Sequence, residues 1–347
     1  MTATAHNAKQ PASGQTRPLQ VAMLAIDGAL VSAMSAPLDA FRVANALHQK
    51  SHPGAPEPFQ LHLVSARKSR EVVGAGGLRL SGIQPMPQQL DLLMVPGLDY
   101  RFAADLLARL NELKAEQSLL SRMHDAGCQL AASCSGTLLM AASGILDGKR
   151  ATTSWWLAPI FQRSFPAVSL DANALYVESG TVATAGAATA MFTVVLRFIE
   201  AKLGKPLAQN TARILLVDIE RQSQAAFISE AMLSRPRSVF SERVERFLRT
   251  HLADPRLNIE SLAEHCRMSP RTLARRFKTV YHMSPLGYLQ QLRIQNAKLL
   301  LESSALTLDD ITEKIGYKDI ASFRKLFKRT THLTPVQYRD RFGMRGP

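Results

Sequence analysis

Cys134 follows the run Gln129–Ser133 and precedes Ser135, Gly136 and the stretch Thr137–Ala142, whose composition predicts a helix. A strand that turns sharply into a helix lifts one side chain toward solvent and sets it at the helix N-terminus, where a thiolate is stabilised. The chemistry open to such a thiol is nucleophilic attack, redox sensing or contact with a ligand. A small buried thiol that only packs is the plain alternative. A nucleophile also needs a base within hydrogen-bond reach. His48, His52, His62 and His124 fall on predicted helices, loops or strands away from this turn, and His6 lies near the N-terminus. No catalytic residue is therefore assigned, although distant residues can converge in space.

A second set of chemistry-bearing residues is cationic. Arg271, Thr272, Ala274, Arg275 and Lys278 share the helix face opposite Leu273 and Phe277. Ala321, Ser322, Arg324, Lys325 and Lys328 share the face opposite Phe323 and Phe327. An exposed helix with one apolar and one basic stripe fits the major groove of double-stranded DNA, where arginine can donate two bonds to guanine. The expected DNA contacts are Arg271, Thr272, Arg275 and Lys278 in the first helix, and Ser322, Arg324, Lys325 and Lys328 in the second. A solvated charged face is the usual fate of such runs, but here the pattern occurs twice in one basic module.

The elements that must position these helices are themselves repeated. Phe277, Lys278, Pro285 and Tyr288 recur fifty residues later as Phe327, Lys328, Pro335 and Tyr338. Upstream, Ile259, Leu262 and Cys266 match Leu308, Ile311 and Ile315 at an offset of 49. So many coincidences at nearly one offset mark an internal repeat. Each copy reads as two helices joined by a short turn. Ser269 is an N-cap with Pro270 at the first helical position, and Thr307 with Asp310 has capping-box spacing. Gly316 ends a helix, and Ser284-Pro285 and Thr334-Pro335 each start another. A long helix from about Leu286 to Glu302 then holds the two units at a fixed separation.

Composition agrees with a two-part chain. The 347 residues, 46% hydrophobic and 20% charged, describe an ordinary globular protein with two or three domains. The formal charge of +14 is unevenly placed: residues 238–347 hold 20 Lys and Arg against 11 Asp and Glu. A basic module attached to a nearly balanced one suggests a polyanion partner. Three widely separated cysteines, Cys128, Cys134 and Cys266, give neither a disulfide framework nor a CxxC metal pair, which suits a reducing compartment. Residues 1–18 read as a disordered tail without a signal peptide. The uncharged stretches Ala126–Leu146 and Ser179–Leu196 carry Gly and Ser breaks, so a strand, a tight turn and a buried helix fit them better than a bilayer span.

Between Leu19 and Gly204, strands at Leu19–Ile26, Phe59–Ser65, Asp91–Pro96 and Gln129–Ser133 alternate with helices at Ala36–Gln49, Phe102–Ala126 and from Gly136. That order predicts an α/β doubly wound, mostly parallel, flavodoxin-like sheet with ligands at the strands' C-terminal ends. An all-α domain with two helix-turn-helix units follows it. The expected domains are residues 19–205, a helix and linker over 206–238 that includes Arg235-Pro236-Arg237, and 239–343.

Residues Val239–Phe342 closely resemble the AraC/XylS family DNA-binding domain. The resemblance rests on Leu262-Ala263, Met268-Ser269-Pro270-Arg271, Leu273, Arg275, Phe277-Lys278, Ser284-Pro285, Gly316-Tyr317, Phe323, Phe327-Lys328, Pro335 and Tyr338-Arg339. It implies a transcription regulator that inserts the second helix of each unit into successive major-groove segments on one face of DNA. It also implies activation, with RNA polymerase as a partner. His282 and His332 stand where the family usually has Gly, and Lys325 where it often has Arg. Histidine tolerates the left-handed conformation better than most residues, and lysine would exchange bidentate reading for a point contact.

The run Cys134-Ser135-Gly136, Ala141 to Gly148, Ala151-Thr152-Thr153 and Trp155 resembles the class I glutamine amidotransferase-like (PfpI-type) domain, in the version fused to AraC-type modules. Asp91–Gly97 and Val177–Gly186 extend the resemblance over most of 19–205. Ser154 stands where similar domains commonly have His, and the acidic residue often found after the first strand is missing from Asp27-Gly28-Ala29-Leu30-Val31. The resemblance thus implies a receptor rather than an enzyme, with Cys134, Ser135, Gly97 and Trp155 lining the pocket. Of Trp155 and its neighbour Trp156, one would face the cavity. A tryptophan there suits cation–π recognition of a quaternary amine, hence a nitrogenous metabolite as effector. The expectation is a cytoplasmic homodimer without metal, cofactor or membrane. A cysteine-dependent amidase or hydrolase tethered to DNA, and a redox-sensing regulator using Cys134, stay open as alternatives.

Overall fold

The computed structural model describes residues 17–218, 223–228, 238–281 and 283–343. The tail before Arg17, the linker residues Arg235-Pro236-Arg237 and His282 lie outside them. By packing the chain forms two compact units. The first comprises residues up to 153, 165–170 and 176–221; the second comprises 154–164, 171–175 and 222 onward.

In chain order the N-terminal elements are β1 (Leu19–Leu24), α1 (Val31–Ser51), β2 (Phe59–Val64), β3 (Glu71–Val73), β4 (Arg79–Ser81), β5 (Leu92–Val95), α2 (Ala103–Glu112) and α3 (Lys114–Asp125). There follow β6 (Gln129–Ser133), α4 (Gly136–Ala142), β7 (Arg150–Ala151), α5 (Ala158–Ser164), β8 (Ser169–Leu170), β9 (Tyr176–Ser179), β10 (Val182–Ala185), α6 (Met191–Leu203) and α7 (Lys205–Leu215). Six of these strands form one sheet in the order β2-β1-β5-β6-β10-β9, and only the β9–β10 pair is antiparallel. Val21 to Leu24 and Leu92 to Val95 are buried at every position, so both sheet faces are covered by helices. The flavodoxin-like, mostly parallel architecture expected from the alternation is present.

Three local differences have physical causes. The helix expected over Phe102–Ala126 breaks at Leu113, which leaves helical geometry (φ −93°, ψ 38°) and is buried; the Gln117 side-chain amide donates to the Leu110 carbonyl exposed by the break. Helix α1 starts five residues earlier than expected, at Val31, and carries Pro37 buried within it. Arg17, read as tail, instead makes a bidentate pair with Asp91 at 2.9 Å.

The second unit holds α8 (Val239–His251), α9 (Ile259–His265), α10 (Pro270–Tyr281), α11 (Pro285–Ser303), α12 (Leu308–Lys314), α13 (Ile320–Thr331) and α14 (Pro335–Phe342). The repeat is also a repeat of cores. Val244, Leu248, Leu262, Ala263, Cys266, Leu273, Phe277 and Leu289 form one buried cluster. Ile294, Ala297, Leu301, Ile311, Ile315, Phe323, Phe327 and Tyr338 form the other. Helix α11 contributes to both, and its 19 residues span about 28 Å at the usual rise.

Candidate nucleic-acid interface and strand-to-helix elbow

Each recognition helix is seated by the same local chemistry. Thr272 N–H donates to the Ser269 hydroxyl at 3.3 Å, and Pro270 occupies the first helical position of α10. Asp319 caps α13 by accepting from the Ala321 and Ser322 amides at 3.1 and 2.8 Å. Its carboxyl is held below the ordinary value by hydrogen bonds from Ser322, then by the Ala321 amide. Upstream, Thr307 and Asp310 make the reciprocal capping box read from their spacing. The turns between paired helices also match: Arg267 (φ 54°) and Gly316 (φ 78°) take the left-handed conformation at positions 49 apart. His332, standing where glycine is usual, does the same at φ 62° and closes α13.

Burial then decides which side chains face outward. Leu273 and Phe277 are fully buried, as are Phe323 and Phe327. Arg271, Arg275 and Lys278 are exposed on α10, with Thr272 half-buried against Ser269. Ser322, Arg324, Lys325 and Lys328 are exposed on α13. Among the described residues none of these cations forms an ion pair. Arg276 differs from its neighbour Arg275: its guanidinium lies 5.0 Å from the Phe240 ring centroid and its Nη1 lies 3.9 Å from the Met268 sulfur. The two faces left unengaged are the ones picked out by spacing.

The elbow at Cys134 is formed as well. Cys134 has φ 55°, a conformation rare for a residue with a side chain, at the junction of β6 and α4. Its amide donates to the Ala185 and Gly186 carbonyls at 3.1 and 2.7 Å. Its carbonyl accepts from the Thr137 and Thr153 hydroxyls at 2.6 and 2.9 Å. Gly136 is dictated by contact: a β-carbon there would stand 2.4 Å from the Pro96 carbonyl oxygen. Gly97 is less tightly placed, its would-be β-carbon lying 3.3 Å from the Cys134 β-carbon and 3.6 Å from the Ser135 hydroxyl. Cys134, Ser135 and Gly97 are thus brought together at the C-terminal ends of β5 and β6.

The elbow departs from expectation in exposure. Cys134 is only 5% exposed, so the turn does not lift the thiol toward solvent. Ser135 is fully buried and its hydroxyl is committed, donating to the Leu98 carbonyl at 2.8 Å and accepting from the Leu98 amide at 2.7 Å. The Asp27 carboxylate, after the first strand, accepts the Val73 amide. Trp155 belongs to the second unit, is buried, and packs edge-on against Trp156 with centroids 5.4 Å apart. Its amide donates to the Gln224 side-chain oxygen at 3.2 Å.

One structural role was not visible in the sequence. Arg293 in α11 is 9% exposed, and the second cation of that helix, Lys298, is 3% exposed. The only sequence sign of Arg293 is its place on the stripe that also carries Leu289, Ile294 and Ala297.

A flavodoxin-like α/β domain followed by two linked helix-turn-helix units defines a DNA-binding regulator with a separate N-terminal domain. Residues 262–341 match the family described as a helix-turn-helix domain. The chain is 27% identical to the HTH-type transcriptional regulator GlxA of Rhizobium meliloti over 67% of this chain and 71% of that protein. It is 22% identical to the HTH-type transcriptional regulator GbdR of Pseudomonas aeruginosa over 93% of this chain and 84% of that one. A solved AraC family transcriptional regulator from Pseudomonas putida is 18% identical, with TM-score 0.46 over 57% of this chain and all of that one. The chain thus carries a C-terminal helix-turn-helix domain and is similar over most of its length to HTH-type transcriptional regulators that bind DNA.

Proposed function

We propose that this regulator is an activator that reads a specific duplex sequence with Arg271, Thr272, Arg275 and Lys278 on α10 and Ser322, Arg324, Lys325 and Lys328 on α13. It responds to a small nitrogenous metabolite held at the elbow by Cys134, Ser135 and Gly97, with Trp155 two residues beyond the Thr153 contact. It works in the cytoplasm as a homodimer and recruits RNA polymerase. The observation that carries the DNA reading is the pair of exposed, unpaired cationic faces on helices whose opposite faces are buried in matching cores. Such faces bind phosphate through counterion release and read bases through arginine.

For the elbow, a receptor is favoured over an enzyme. The thiol is buried, Ser154 replaces the usual histidine, and Ser135 and Asp27 are committed to backbone groups. Hydrogen bonds inside the second unit that link Trp155 to the second helix-turn-helix half support this reading. Gln224 accepts the Trp155 amide and donates to the Ala172 and Ala174 carbonyls. The next residues dock on the second helix-turn-helix half, where the Lys298 ammonium donates to the Ala225 and Ile228 carbonyls and the Tyr338 hydroxyl to Ala226.

Thermal denaturation of the full chain against a panel of amino acids and primary and quaternary amines tests the receptor reading. A true effector stabilises by mass action, about 2.7 kcal/mol at a hundredfold excess over Kd. Its shift should shrink in Cys134→Ala, and it should change affinity for duplex DNA. Turnover of amide or ester substrates that Cys134→Ala abolishes, with DNA binding unaffected by any amine, would replace the receptor with an enzyme.

A further inference from the structure

The two helix-turn-helix halves share one buried cation. Arg293 lies mid-way along α11, and its guanidinium reaches the inner ends of both halves. On one side Nη2 donates to the Asp254 carbonyl at 3.1 Å, in the loop between α8 and α9. On the other, the guanidinium carbon stands 5.3 Å from the centroid of Tyr317, in the turn between α12 and α13. Gly316 closes the same junction. A β-carbon there would lie 2.8 Å from Arg293 Nη2 and 2.6 Å from the Leu252 carbonyl oxygen, so the turn of the second half rests directly on the end of α8.

Among the described residues no carboxylate forms an ion pair with this cation. The nearest acid in the loop, Asp254, turns its carboxylate to Arg256 and offers Arg293 only its backbone carbonyl. Arg293 Nε is buried and finds no partner among the described residues. Desolvation accordingly pushes its pKa below the ordinary arginine value. A buried cation without a paired anion costs stability, and an apolar residue of similar size would fill the same space. A leucine or methionine, however, could not hold a carbonyl on one side and a ring face on the other in a fixed direction, as a planar guanidinium does.

We infer that Arg293 is a positioning residue that sets the separation and relative rotation of α10 and α13, and with them the half-site spacing this regulator accepts on DNA. It never touches the duplex itself. The inference rests on the proposed reading that both helices seat on one duplex, and the test separates the two. Full-length protein selects a duplex from a random pool, and affinities are then compared for that duplex and for versions with one base pair inserted between, or deleted from between, the half-sites.

Wild type should lose about tenfold or more on insertion, a penalty of the order expected for misplaced specific contacts. In Arg293→Met and Arg293→Lys the penalty should fall below about threefold, while the intact duplex binds more weakly. Gly316→Ala, which keeps Arg293 but pushes its β-carbon against the Leu252 carbonyl, should move the preferred spacing rather than relax it. Helical circular dichroism identifies any variant that fails to fold; since Arg293→Lys keeps the charge and Gly316→Ala keeps the arginine, these two decide the outcome if Arg293→Met unfolds. An insertion penalty equal to that of wild type in folded Arg293→Met and Arg293→Lys would overturn the role of Arg293. A wild type indifferent to spacing would overturn the two-helix reading instead, and this inference with it.

Discussion

Phe277→Ala is expected to remove about 3–5 kcal/mol from the first helix-turn-helix half. The ring is fully buried and contacts three other rings: Phe240, Tyr281 and Tyr288 at centroid distances of 5.9, 4.9 and 5.7 Å. The buried cluster around it draws on four helices, so collapse onto the cavity would have to move α8, α9, α10 and α11 together. A loss of that size approaches the whole stability of a small domain. Urea unfolding of the full chain, followed by helical circular dichroism, should show an early transition that is absent in wild type. DNA affinity should fall at temperatures where that half is open. Phe327→Ala should do the same to the second half and leave the first intact, because the two rings lie in separate cores. A single unshifted transition in both variants would mean that the apolar seats of α10 and α13 are not what holds them.

The second large effect falls on the elbow. Gly136→Ala should destabilise the N-terminal domain by at least about 1–3 kcal/mol, the usual cost of overpacking. The added carbon would meet the Pro96 carbonyl oxygen at 2.4 Å, with the Pro96 carbon and the Val95 oxygen both at 3.0 Å. All three are backbone atoms of β5 and its end, so no side chain can rotate away. To accommodate the methyl group, α4 must back off from β5, and the Cys134 turn must open because it is anchored on the far side by Ala185 and Gly186. The expected result is a lowered thermal midpoint and a lost or weakened response to the effector, with the intrinsic affinity of α10 and α13 for DNA retained. A melting curve identical to wild type would show that the close approach of α4 to β5 is not required.

Sequence and structure agree best where a residue type has a single physical use. The repeat was legible because Phe277 and Phe327, Tyr288 and Tyr338, and the Ser/Thr-Pro caps each demand the same local geometry wherever they occur. The parallel sheet was legible because Val21–Ile26 and Leu92–Val95 are continuous apolar runs, as strands covered on both faces need. The Cys134 turn was visible for a similar reason, since a strand that runs directly into Ser-Gly must reverse within two residues. Its exposure was not. The residues that pack around Cys134, with the Ala185 and Gly186 carbonyls on its amide and Gly97 beside its β-carbon, are distant in sequence. The short strands β3, β4, β7 and β8 were likewise hidden, being two or three residues long and carrying no periodicity of their own. Arg293 and the Ser223–Ile228 segment were missed because their roles reside in backbone carbonyls contributed by other elements, which no local pattern records.

Hydroxyl-radical footprinting of the full-length chain on a duplex it has selected tests most directly whether two basic helices grip DNA together. Wild type should protect two patches on one face, about 10 base pairs apart, the repeat of the double helix. Arg275→Ala should erase one patch and Lys325→Ala the other. A single patch in wild type, or the same loss of both patches from either substitution, would contradict the account.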